Sequence, residues 1–247
     1  MTRQALVPTT HERGITTLTL DSPANRNALS ASLVDELGRA LLRCGKDPSV
    51  RAVVLAHTGN TFSAGADLKV PASPYAFVEV LRQIAELPKP VLARVDGHAR
   101  AGGLGLLGVC DMAFATETSD FAFSEVRIGV APAVISIPLL PRLDPRAASR
   151  YFLTGEVFDG PRARDIGLLT ATAPDVDAAL APVLDALRRA SPQGLAESKR
   201  LLTAEVRAAF DRDAEDLVQR SAALFASAEA REGVTAHLER RDPAWLL

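Results

Sequence analysis

The stretch A-R-A-G-G-L-G-L-L-G-V-C-D, residues 99–111, decides how the rest of the chain is read. It comes after the strand-like run P-V-L-A-R-V, and Gly103, Gly105 and Gly108 stand at the G-x-G-x-x-G spacing of a dinucleotide-binding loop. Such a loop leads straight from a strand into a helix and is followed, about 20 residues on, by an acid for the ribose. Glu125 stands at that distance. Against this reading, D-G-H-A-R-A separates the strand from the glycines, whereas a phosphate loop turns directly off its strand. Small residues also let a buried helix approach a sheet closely, which needs no ligand at all.

A second glycine loop, F-S-A-G-A-D-L at 62–68, also follows a strand-like run and offers N–H groups near an incipient helix, where amides lack intrahelical partners. Two such loops can converge on one oxygen atom. A pair of fixed N–H donors around a developing negative oxygen is an oxyanion hole, in which one donor is worth about 10²–10³ in rate. Asp67, in the same loop, is a residue type that caps loops through local hydrogen bonds.

With 247 residues, 47% of them hydrophobic, the chain can bury a large core and lies near the upper size of one domain. Its 28 basic and 30 acidic residues leave a net charge of −2, so no strong field draws nucleic acid or an anionic membrane. Cys44 and Cys110 are too few for a disulfide framework and read as packing residues in apolar surroundings. No run of about 18 apolar residues could span a bilayer, and the opening M-T-R-Q-A-L-V-P lacks the apolar core of a signal peptide. These features predict a soluble, cytoplasmic metabolic protein.

Strands are predicted at G-I-T-T-L-T-L (14–20), R-A-V-V-L-A-H and P-V-L-A-R-V. Between them lie a helix with Leu33, Val34, Leu37 and Leu41 on one face, capped by Ser30 or Ser32, and another over about 75–86. Alternating strand and helix favours a parallel or mixed sheet. From Ala99 a small-residue helix to Cys110 is expected, then short strands at M-A-F-A and F-A-F. Residues 175–239 read as three helical runs divided by S-P-Q-G and by 227–231. The stripe Leu180, Val183, Leu184, Leu187 needs a surface, from the body or from another subunit.

F-S-A-G-A-D-L, K-P-V-L-A-R-V-D-G-H-A-R-A-G-G-L-G-L-L-G-V-C-D and F-A-F-S-E-V-R-I-G-V-A-P, in that order, resemble the crotonase (enoyl-CoA hydratase/isomerase) superfamily. N-A-L at 27–29, R-Y-F-L-T-G-E at 150–156, A-R-D-I-G-L at 163–168 and E-G-V-T-A-H-L-E-R-R near the end extend the likeness along the chain. The resemblance implies an α/β fold, a spiral of β-β-α turns over about 1–190 with a helical trimerisation region at 191–247, assembled as a trimer or a dimer of trimers. It also implies an acyl-CoA substrate, with no metal and no cofactor beyond the coenzyme A of the substrate itself. By motif position, the N–H groups of Ala66 and Gly102 would hold the thioester oxygen.

Hydratases of this family carry two glutamates. The second is present as Glu125, whereas the first falls on Gly105. Two carboxyls divide acid and base work between them; with one, three outcomes stand. Glu125 alone could hydrate a 2-enoyl-CoA, it could shuttle a proton as a Δ3,Δ2-enoyl-CoA isomerase, or a neighbour such as Ser124, His98 or Arg100 could take over. A catalytically degenerate acyl-CoA binder is a further alternative. S-E-V-R-I-G-V-A-P-A-V-I-S is similar to the bacterial methylglutaconyl-CoA hydratase-like branch, and Gly105 would leave room beside the α-carbon for a branched or carboxylated acyl group. The family's coenzyme A loops match Ala24 and Arg26, and Ala64, Asp67 and Leu68, with Arg26 and Lys69 as phosphate partners. His237 and Arg240 fall where the C-terminal region touches the ligand.

Overall fold

Three times in succession the chain lays down a strand, a shorter strand and a helix, and the two strands of each pair enter different sheets. In this computed structural model, which describes residues 5–247, β1 (Thr9–Glu12), β2 (Ile15–Leu20) and α1 (Ala31–Lys46) come first. The three turns are β3 (Ala52–His57), β4 (Thr61–Ser63) and α2 (Pro74–Glu86), then β5 (Val91–Val95), β6 (His98–Arg100) and α3 (Gly102–Val109), then β7 (Met112–Thr116), β8 (Asp120–Ala122) and α4 (Ala133–Leu139). There follow α5 (Pro145–Thr154), β9 (Phe158–Asp159), α6 (Gly160–Asp165) and β10 (Ala171–Ala173). Four helices end the chain: α7 (Val176–Arg189), α8 (Pro192–Leu202), α9 (Ala204–Phe225) and α10 (Ala228–Glu239). One sheet has the order β1-β2-β3-β5-β7-β10, parallel except for β1, and the other β4-β6-β8-β9, parallel except for β9. This is the α/β spiral of β-β-α turns.

The centre of the larger sheet is buried on both faces, which is why β3 is apolar without alternation, while the edge strand β1 is exposed. Val53, Leu55, Ala93 and Val95 face the core shared with α1, α2 and α3, while Ala52, Val54, Leu92 and Phe114 face Val176, Leu180 and Leu187 of α7. The body thus supplies the surface that the α7 stripe requires. The Ser30 side chain caps α1 by accepting from Leu33 N–H at 3.3 Å. Cys44 and Cys110 are buried and free, as packing residues should be. No helix among the described residues is long and apolar enough to cross a membrane, and residues 1–4 of the opening stretch lie outside the described residues.

Three expectations need correction. Within D-G-H-A-R-A, His98–Arg100 form β6, paired in the second sheet, so the helix starts at Gly102 rather than at Ala99. Gly103, Gly105 and Gly108 therefore lie inside α3 and not in a turn between strand and helix, where the glycines of a phosphate loop would lie. No helix opens after F-S-A-G either; α2 begins only at Pro74. The middle run of the C-terminal region is two helices, broken at Thr203, whose hydroxyl donates back to Lys199 O at 2.8 Å. α9 packs against α2 and α4, and its Val206, Ala209, Phe210 and Val218 join the main core.

Candidate active site

The adjacent parallel strands β4, β6 and β8 end at Ser63, Arg100 and Ala122, all at one edge of the smaller sheet. Ala66, Gly102 and Glu125 each lie two or three residues beyond one of these ends. Strands pair at about 4.8 Å, so the sheet itself gathers three positions that are far apart in sequence, at the strand ends where open α/β sheets place ligands. All three line one cleft of about 970 Å³.

The first two loops touch. Gly65 has φ +88°, and a Cβ there would lie 2.8 Å from Ala101 Cβ and 3.4 Å from Gly102 N, so only glycine permits this backbone conformation and approach. Leu29 N–H donates to Gly65 O at 2.8 Å and fixes the loop from the other side. Ala101 is held at φ +46°, ψ −118°, a conformation that costs an L-residue about 1–3 kcal/mol, and it turns the chain into α3. Gly102 is the first residue of that helix, and no other group among the described residues accepts the Ala66 or Gly102 N–H. Two unpaired donors thus face one space.

Glu125 sits in the 3-10 turn Ser124–Ile128. It is 8% exposed, and its Oε2 has no hydrogen-bond partner. Burial pushes the carboxyl from 4.5 up to about 7, with only its own backbone N–H acting the other way. A buried, unpaired carboxyl poised near neutrality in a cleft is suited to moving protons. α10 seals the turn from the C-terminal side: a Cβ at Gly233 would lie 2.6 Å from Ile128 O.

Inside, the wall is apolar, with Leu29, Phe77, Val134 and Ile135; the arginines Arg26, Arg127, Arg231 and Arg241 are exposed at the rim. Arg26, Ala64, Leu68 and His237 line the cleft with the three residues above. Ala24, Asp67, Lys69, Gly105 and Arg240 do not. Ala24 is exposed on the 3-10 turn Pro23–Asn25. Asp67 spends its carboxylate on Lys69 N–H (2.9 Å), Val70 N–H (3.1 Å) and Asn25 Nδ2 (3.2 Å). Burial opposes its charge, but these donors outweigh that and hold it below the usual carboxylate range. Arg240 is the left-handed residue that ends α10, so Arg241 takes the cleft position, clamped by Glu232 at 2.7 and 2.9 Å. His98 and Arg100 are both tied to Asp120 Oδ1, at 2.8 and 2.6 Å, which commits them to structure.

Gly105 leaves no room beside the reacting carbons. A Cβ there would meet Ile135 Cγ2 at 2.6 Å, because α4 presses its Ile135 into that space. Ile135 stands inside S-E-V-R-I-G-V-A-P-A-V-I-S and Arg241 inside E-G-V-T-A-H-L-E-R-R, whereas Phe77 and Arg231 lie outside every motif quoted above; Asn27, fully buried and donating to Thr58 O and Thr61 O beneath the loop, was signalled by N-A-L.

The sequence profile of the enoyl-CoA hydratase/isomerase family matches residues 10–246. The chain belongs to this family. Among its solved members, an enoyl-CoA hydratase from Mycobacterium avium is 52% identical and superposes with a TM-score of 0.91 over 99% of this chain and 100% of that one. A Bacillus subtilis (strain 168) protein named "Probable enoyl-CoA hydratase" is 30% identical over 93% of this chain and 94% of its own. An "Enoyl-CoA isomerase/hydratase" of Mycosarcoma maydis is 36% identical over 65% of this chain and 66% of its own.

Proposed function

We propose that the chain is an acyl-CoA lyase that hydrates a 2-enoyl-CoA with Glu125 as its single catalytic carboxylate. The observation that carries this reading is the pairing of a buried, unpartnered carboxyl with two open N–H donors in one apolar cleft. The exposed arginines at the rim suit the phosphates of coenzyme A, which enters as part of the substrate; the apolar interior suits the acyl chain. The Ala66 and Gly102 N–H groups hold the thioester oxygen and strengthen their bonds as it gains charge. Glu125 takes a proton from water as the water oxygen bonds to C3, and the C2–C3 electron pair moves into the thioester as an enolate. The same proton then passes from Glu125 to C2, so one water has been added across the double bond.

One carboxylate also suffices to carry a proton between C4 and C2, so isomerisation is the second reading, favoured by the apolar surroundings of Glu125. Incubation with 2-enoyl- and 3-enoyl-CoA in deuterated water separates the two by product. Glu125→Gln is expected to retain acyl-CoA binding and lose at least about 10²-fold in turnover. Near-normal rates in this variant would show that the base is another residue; absence of exchange with every thioester would leave only a binder. Assembly as a trimer or dimer of trimers is part of the same reading, supported by the exposed Leu201 and Leu202 in the C-terminal helices, as is a cytoplasmic location.

A further inference from the structure

We infer that Ile135 occupies the place of the carboxylate missing at position 105 and acts as the specificity wall of the acyl site, favouring hydrocarbon chains unbranched at the carbon next to the thioester. The inference rests on the acyl-CoA reading above.

Ile135 is 3% exposed, yet it lines the cleft together with Gly102 and Glu125, while Gly105 behind it does not. The space that any side chain at 105 would enter is filled by Ile135 Cγ2 and Cβ, at 2.6 and 3.0 Å from an ideal Cβ. Ile135 has no way to withdraw. Leu139, one turn further on α4, presses in the same manner on Gly108, one turn further on α3, with its Cδ2 and Cγ against the position of an ideal Cβ. The two helices are therefore locked along a shared face, and a β-branched residue in a helix keeps one strongly preferred χ1 rotamer. Opposite, a Cβ at Gly102 would meet Leu29 Cδ1 at 2.7 Å and Phe77 ring carbons at 3.6 Å, so the chain leaving the oxyanion donors passes between apolar walls. A polar or charged substituent there would be stripped of water with no partner. Arg100, the only arginine of the cleft wall that is not exposed, donates to Ala99 O and Asp120 O and is paired with Asp120.

The test compares wild type, Ile135→Ala, Ile135→Val and Leu139→Ala on 2-butenoyl-CoA and 2-methyl-2-butenoyl-CoA, with Kd for the saturated counterparts measured by calorimetry. Leu139 makes the same kind of interhelical contact but lies outside the cleft, so it controls for lost packing. Ile135→Ala is expected to raise the branched-to-straight ratio of kcat/KM by about tenfold or more, the worth of a methyl-sized pocket change. Ile135→Val should move it less in the same direction, and Leu139→Ala should leave it in place. A ratio unmoved in Ile135→Ala and Ile135→Val, or moved equally by Leu139→Ala, sinks the assignment of Ile135 alone, since thioesters still bind and react. If no thioester binds the wild type, the acyl-CoA reading falls and the inference with it.

Discussion

With its carboxyl held at about 7, Glu125 is partly ionised at neutral pH, and its base activity should rise as pH passes through that value. The same burial has a stability consequence. Between 4.5, its ordinary value, and about 7 the folded protein keeps a proton that the unfolded chain has released, so stability falls as pH rises across this window and levels above it. The loss amounts to about 3 kcal/mol when complete. Glu125→Gln, which cannot ionise, is therefore expected to melt above wild type at pH 8 and with it at pH 4; equal Tm values at pH 8 would mean that the carboxyl is not desolvated. Glu125 was legible in the sequence because F-A-F-S-E-V resembles the family motif that carries the second glutamate. Ile135 stands in the quoted S-E-V-R-I-G-V-A-P-A-V-I-S, but its role was not legible there, because it comes from α4 touching α3 across the fold.

At the scale of elements, α8 is fastened to the body by a single buried charge. Lys199, 4% exposed, pairs with Asp111 at 2.8 Å and donates to Ile84 O and Lys89 O at 2.7 and 3.0 Å. Asp111 in turn accepts from Val91 N–H at 2.7 Å, so the pair joins α8 to the ends of α2, α3 and β5. Lys199→Met is expected to cost about 3–5 kcal/mol by leaving the Asp111 charge unpaired, and Asp111→Asn in the same chain should restore much of it, as read by denaturant unfolding. An additive double variant would show that the two groups do not act as a pair. The amphipathic stripe of α7 was readable from its spacing, whereas the break at Thr203 was not: α8 and α9 are both helical by pattern, and a hydroxyl bonding back to Lys199 O ends the first. The displacement from Arg240 to Arg241 has a similarly local cause, a left-handed residue after the last helical turn.

For the whole molecule, the C-terminal helices close the cleft of their own chain. Ser221, Ala222 and Phe225 of α9 and several residues of α10 form one wall, and α10 touches the body through the small buried residues Ala230, Gly233 and Ala236. Removing residues 227–247 should leave a folded protein, because α10 contributes few large side chains to the core. Such a protein is expected to lose about 10²-fold in kcat/KM through a misplaced carboxyl, with its pH midpoint shifted down toward 4.5 as water reaches Glu125. An unchanged midpoint would show that α10 does not supply the burial.

Local chemistry in the sequence determined the strands β2, β3, β5, β7 and β8, most of the helices and the two glycine loops, since these rest on side-chain periodicity, backbone freedom and residue type along a short stretch; the one glutamate was marked by the resemblance of its motif. Only the tertiary structure decided what those pieces make together. By sending successive strands to two sheets it brought Ala66, Gly102 and Glu125 to one edge, and by pressing α4 onto α3 it filled the space at Gly105 with Ile135. Both are contacts between elements, fixed by packing at ångström scale that no spacing in the chain records.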